Sequence, residues 1–131
     1  MSIARSVALR AALAVVGAVL CVASLAAHRH LWTPAGIDLP WGLVLSLGAT
    51  YLGVRAAGLL DGAAVGALCC AIGWVGVLLY LFGGRTEGDY LIAADWLGYS
   101  MLGGGLAAAA AGVFVSMAGP PSAAPGPRPS I

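Results

Sequence analysis

Residues Gly83 to Tyr99 read GGRTEGDYLIAADWLGY. Arg85, Glu87, Asp89 and Asp95, with Tyr90, Trp96 and Tyr99, form one polar interruption between two long apolar runs. Before it, Gly62 to Phe82 carries no charge; after it, Trp96 to Ala118 carries none either. A hydrocarbon core of about 30 Å needs about 20 apolar residues in a helix. Both runs reach that length, so the interruption is expected to be the turn between two membrane-spanning helices.

Composition supports the same class. Hydrophobic residues make up 61% of the 131 residues and charged residues only 8%, with a mean hydropathy of +0.98. Soluble domains carry about 25% charged residues. A chain this short cannot hide so much apolar side chain in a water-facing globule, since small domains bury only about 60–70% of their unfolded surface. The lipid bilayer is therefore the expected surrounding. Net charge is +1 and all six cations are Arg, which leaves no basic field for nucleic acid. The lack of Lys beside abundant Ala, Gly and Arg fits a high-GC bacterial source. Cys21, Cys69 and Cys70 lie inside apolar runs without zinc-knuckle or redox-motif spacing. They read as small packing residues; palmitoylation or a vicinal Cys69–Cys70 switch is disfavoured by mid-bilayer burial.

Two further spans precede the pair. Ala11 to Ala27 is charge-free behind Arg5 and Arg10, with an apolar shoulder from Ser6, giving a first span over about 8–27. A cleavable signal peptide is the alternative, but the run exceeds the usual apolar centre of about 7–15 residues. His28, Arg29 and His30 close that helix, and the stretch from Thr33 to Pro40 is too rich in turn residues for a helix to cross. His28-x-His30 lacks a third ligand for a metal and is expected at the headgroups. Trp32 and Trp41 suit the aromatic belt, and Pro40 the first turn of a second span over 40–60. Arg55 is expected near the far surface, where its stem can reach water. Asp61 is expected to pair with Arg55 or to cap a third span over 62–82.

Gly62, Gly66, Cys70 and Gly73 mark small positions along the third span, with Gly76 beyond them. The fourth span, 96–118, repeats the device with Ser100, Gly104, Ala108, Gly112 and Ser116 at steps of four. Small residues at that spacing let backbones approach closely where lipid offers no hydrophobic drive. These faces are expected to pack on each other or on a partner. Residues 1–118 thus form one all-α domain of four transmembrane helices with short loops, and the Pro-rich 119–131 is expected to be a disordered tail.

With four spans both termini share a side. Arg5, Arg10, Arg55 and Arg128 lie there, and Arg29 and Arg85 opposite. The positive-inside bias places both termini of this multi-pass protein in the cytoplasm of a cell-membrane location. The acids Asp38, Glu87, Asp89 and Asp95 then fall on the external face.

The chemistry of the central stretch is sparse. Glu87, Asp89 and Asp95 do not match a calcium loop, which needs about 6–8 oxygen ligands. No nucleophile, metal triad or phosphate loop joins them for acid–base work. The structural reading assigns Asp95 to the N-cap of the fourth helix, Arg85 and Asp89 to a pair steadying the loop, and Tyr90, Trp96 and Tyr99 to the interface. Arg85, Glu87, Asp89, Asp95 and Tyr99 are also the candidate partner-binding loop.

Gly73-Trp74, Arg85, Gly88-Asp89, Leu91, Asp95 and Gly98-Tyr99 together resemble a family of short four-helix actinobacterial membrane proteins catalogued as a domain of unknown function. The resemblance covers roughly residues 8–118 and implies a topology without an assigned activity. The expectation is a non-enzymatic protein, without cofactor or metal, working as a homo-oligomer or as an accessory subunit of a larger membrane complex. A small oligomeric transporter or channel, its pore lined by Thr50, Ser100 and Ser116, is the alternative; an external-face enzyme using Asp89 and Asp95 stands third.

Overall fold

In the computed structural model, which describes residues 2–62, 64–83 and 95–119, the chain is all-α. Helix α1 runs Ile3–Ala27, α2 Trp41–Asp61, α3 Ala64–Gly83 and α4 Trp96–Met117. Each is long and apolar enough to cross a membrane. Helix α1 starts five residues before the expected span, because Ser2 supplies an N-cap whose hydroxyl accepts from the backbone N–H of Arg5. Gly62 does not open α3 as expected. It closes α2 in the left-handed conformation, φ +66°, and its N–H reaches back to the Leu59 carbonyl; that conformation favours glycine. Residues 120–131, where the disordered tail was expected, lie outside the described residues.

Helix α1 packs on α2 and α3, and α4 packs on the same two. The section is a rhombus: α2 and α3 share the short diagonal, and α1 and α4 stand at opposite corners. The chain runs up, down, up and down, so the start of α1 meets the end of α2 and the end of α1 meets the start of α4. We refer to these as the terminal end and the loop end.

Backbone contact is closest between α1 and α3. A Cβ on Gly17 would lie 1.9 Å from the carbonyl oxygen of Cys70, and one on Gly73 would lie 1.9 Å from that of Ala14. The small face of α3 therefore meets α1 at Cys70 and Gly73 and the end of α2 at Gly66, within the same chain. The step-of-four face of α4 is turned on α2: Gly104 abuts the Leu47 side chain, Gly112 abuts Val54, and the Ser116 hydroxyl sits over Gly58. The two helices expected to pack on each other or on a partner thus have separate main partners inside the chain. They still touch where a Cβ on Gly105 would come 2.5 Å from the Trp74 ring. Gly76 faces outward with nothing near it.

Two core layers fill the bundle. Near the loop end Cys21, Leu25, Leu43, Trp74, Leu78, Leu97 and Met101 pack together. Near the terminal end the layer is smaller-bodied, built of Leu13, Val54, Ala57, Ala67, Cys70 and Ala109. Trp74 and Leu78, which share a stripe with Gly66 and Cys70 at steps of four, point into this core, not away from it.

Candidate functional site

The polar side chains gather at three levels. At the loop end, Asp95 precedes α4 in an extended conformation, and its Oδ1 accepts from the Gly98 N–H at 2.8 Å. Its Oδ2 accepts from Nη2 of Arg29, just beyond the end of α1. The Gly98 N–H bond, with the Arg29 guanidinium and His28 beside it, holds the Asp95 carboxyl below the usual carboxylate range. Asp95 is thus both helix cap and inter-helix tie. Arg29 was not foreseen as its partner; the two stand 66 residues apart in sequence.

His28 and His30 flank that Arg as capping groups. Nδ1 of His28 donates to the Leu25 carbonyl at 2.8 Å, and Nδ1 of His30 donates to that of Ala27 at 3.1 Å. The Leu25 carbonyl is one that the helix end leaves open, while the Ala27 carbonyl also accepts the His30 backbone N–H at 3.0 Å. His30 also stands edge-on to Trp41, ring centroids 5.7 Å apart. His28 is fully buried, and its Nε2 has no hydrogen-bond partner among the described residues. Among the described residues no three His, Cys, Asp or Glu side chains converge as metal ligands.

Below this level lies a buried hydroxyl cluster. Ser46 donates to the Gly42 carbonyl at 2.7 Å and approaches that of Ser24 at 3.1 Å; Thr50 donates to Ser46 O at 2.8 Å. The Ser24 and Thr50 hydroxyls stand 3.4 Å apart. These groups tie α1 to α2 while satisfying themselves inside an apolar core. Thr50, expected to line a pore, is wholly buried, and Ser116 donates to the Gly112 carbonyl.

At the terminal end Asp61 pairs with Arg10, Nε to Oδ2 3.1 Å, not with Arg55 as expected. The Asp61 side chain is 1% exposed, and its Oδ1 is buried without a partner among the described residues. The chain turn at Gly62 directs Asp61 inward over α3, where Gly66 lets its Cβ approach. A charge between Ser6 and Ala11 that belongs to neither flank was the available signal for Arg10.

Of the candidate loop, Arg85, Glu87 and Asp89 lie outside the described residues, as do the proposed Arg85–Asp89 pair and Tyr90. Tyr99 lies one turn into α4 and is exposed. Among the packing candidates, Gly66, Cys70 and Gly112 are buried, and Gly73, Ser100, Gly104, Ala108 and Ser116 are half-buried. Gly62 is exposed at the turn. Gly17 and Gly42 were missed: a Cβ on Gly42 would fall 2.0 Å from the Ala27 carbonyl oxygen. Cys21, Cys69 and Cys70 are free thiols.

Fold and polar groups together define an all-α bundle of four membrane-length helices, tied at each end by an ion pair, with undetermined activity. The model of a family of unknown function, DUF6113, matches residues 1–127, and the chain belongs to that family. No curated protein and no solved structure matches the chain.

Proposed function

We propose that this chain is a non-enzymatic, multi-pass protein of the bacterial cell membrane that works as a structural or accessory subunit, in a homo-oligomer or a larger membrane complex. The observation that carries this reading is the use of the interior. Both core layers are packed with side chains, and the buried hydroxyls are bonded to carbonyls and to one another. The outer faces then carry the activity.

The inward stripe of α4 is occupied by α2, so association falls to the exposed face beside it. Gly103, Ala107 and Ala111 are exposed there at steps of four, and Gly103 has nothing near it. The α1–α3 seam demonstrates how closely helices of this chain approach through small residues. The test is native mass measurement from mild detergent, with Gly103→Leu and Ala107→Leu beside the natural chain. A complex lost in both variants supports the reading; a strictly monomeric, partner-free natural chain overturns it.

The second reading is a small oligomeric transporter or channel; Thr50 is buried in the chain's own interior, which leaves the half-buried Ser100 and Ser116 for its lining. Val54 and Ala57 follow Thr50 along α2 and are buried in an apolar layer, so its path runs between copies. Flux into proteoliposomes that matches empty vesicles across ions and small solutes would dispose of it. In either reading the termini are cytoplasmic, which a reporter fused to the tail checks.

A further inference from the structure

The connection between α1 and α2 is folded, not slack. Trp32 and Leu39 pair through two reciprocal backbone bonds, Trp32 N–H to Leu39 O at 3.0 Å and Leu39 N–H to Trp32 O at 2.9 Å. Between them Pro34–Gly36 makes a single 3-10 turn, with Ala35 and Gly36 both at positive φ. The Ile37 N–H returns to the Pro34 carbonyl, and the Gly42 N–H bonds the His30 carbonyl. Much of the connection's backbone polarity is therefore met within the segment, which is what entry into a water-poor zone requires.

Its side chains face the other way from an ordinary loop. Trp32 is 64% exposed and Ile37 65%, and Leu31, Leu39 and Trp41 are exposed as well. From Leu31 to Trp41 the only ionisable side chain is Asp38. The nearest cation in sequence, Arg29, is held by Asp95. Both helix ends from which the segment hangs lie at one level, beside the capping His28 and His30.

We propose that residues 31–41 form an interfacial plate, lying flat in the headgroup–acyl boundary of the leaflet at the loop end and held there by apolar contact with lipid. This rests on the reading of the chain as a membrane protein and adds its attachment at that surface. Trp and Tyr favour this boundary because their rings are apolar on one side and polar at one edge. Exposed Trp96 and Tyr99 at the start of α4 extend the same belt. With Asp38 as the segment's one charge, anionic headgroups add nothing to the attraction, so phosphatidylcholine alone suffices.

The experiment uses the full chain in phosphatidylcholine vesicles, with and without lipid brominated near the headgroup end of the acyl chain. The emission difference between the natural chain and Trp32→Phe isolates Trp32, and Ile37→Trp in the Trp32→Phe background gives a second reporter. Both signals are expected to lose most of their intensity to brominated lipid and little to aqueous acrylamide, unchanged when anionic lipid is mixed in. Quenching by acrylamide alone, while the other tryptophans are quenched by brominated lipid, leaves the spans in the membrane and overturns the plate. Protection from both quenchers overturns it in favour of a protein cover. Absence of lipid quenching for every tryptophan overturns the membrane reading itself.

Discussion

Gly17 on α1 and Gly73 on α3 are seated reciprocally, each against a main-chain carbonyl of the opposite helix, Cys70 and Ala14 respectively. Neither position has room for a single added carbon. Gly17→Ala or Gly73→Ala forces the helices apart and is expected to lower stability by about 1–3 kcal/mol, the usual cost of overpacking. Gly76→Ala, on the open side of α3, is expected to change it by less than about 0.5 kcal/mol. Thermal unfolding in detergent distinguishes them; equal effects at Gly73 and Gly76 would contradict the seam.

Trp74 occupies space that Gly105 leaves empty. Gly105→Ala brings a carbon against the indole ring and should cost about 1–3 kcal/mol. Trp74→Phe in the same chain withdraws the outer ring and is expected to recover part of that loss. A double-mutant cycle with coupling below about 0.5 kcal/mol would mean the two do not share that space.

Asp61 keeps a buried carboxyl group whose only partner among the described residues is Arg10. Arg10→Met is expected to destabilise by about 2–3 kcal/mol, below the ~3–5 of a wholly buried pair because Arg10 stays half in contact with solvent. Arg10→Met with Asp61→Leu should restore most of it, since replacing both partners leaves no stranded charge. Chemical denaturation of the four proteins is the measurement, and an additive double variant would refute the pairing.

Asp95 gives an acid-side dependence whose sign is fixed. Its folded-state pKa lies below the unfolded one, first through the Gly98 N–H and then through Arg29. The stabilisation is therefore complete above the ordinary carboxylate value of about 4 and is lost as pH falls through the lower, folded value. Asp95→Asn, still able to cap α4, should flatten that acid limb. Asp95→Ala should flatten it and also lower stability at neutral pH more than Asn does. An unaltered limb in Asp95→Asn would assign the acid response to another group.

Helix number and type were legible because unbroken apolar length is a strong signal, and Asp95 was legible as a cap because it stands directly before Trp96. Which face each helix turns inward was not. In α4 the stretch from Leu102 to Val113 is all Gly, Ala, Leu and Val, so the inner Gly104 and Gly112 and the outer Gly103 and Ala107 carry the same polarity. Periodicity has no contrast to report there. Trp74 was not legible as a core residue for the same reason: in an apolar helix, size gives no direction. The two ion pairs were invisible because their members are 51 and 66 residues apart, and only the pairing of helix ends brings them together. Gly62 misled because a glycine suits either a close-packed stripe or a left-handed helix end.

Arg10 and Arg29 are the two anchor points of α1, one tied to Asp61 and the other to Asp95. They are nineteen residues apart, about 28 Å along the helix axis, against a hydrocarbon thickness near 30 Å. In a bilayer such a helix carries its own depth gauge. It has no spare length to reach further, so in a thicker membrane the lipid around it must thin to match it.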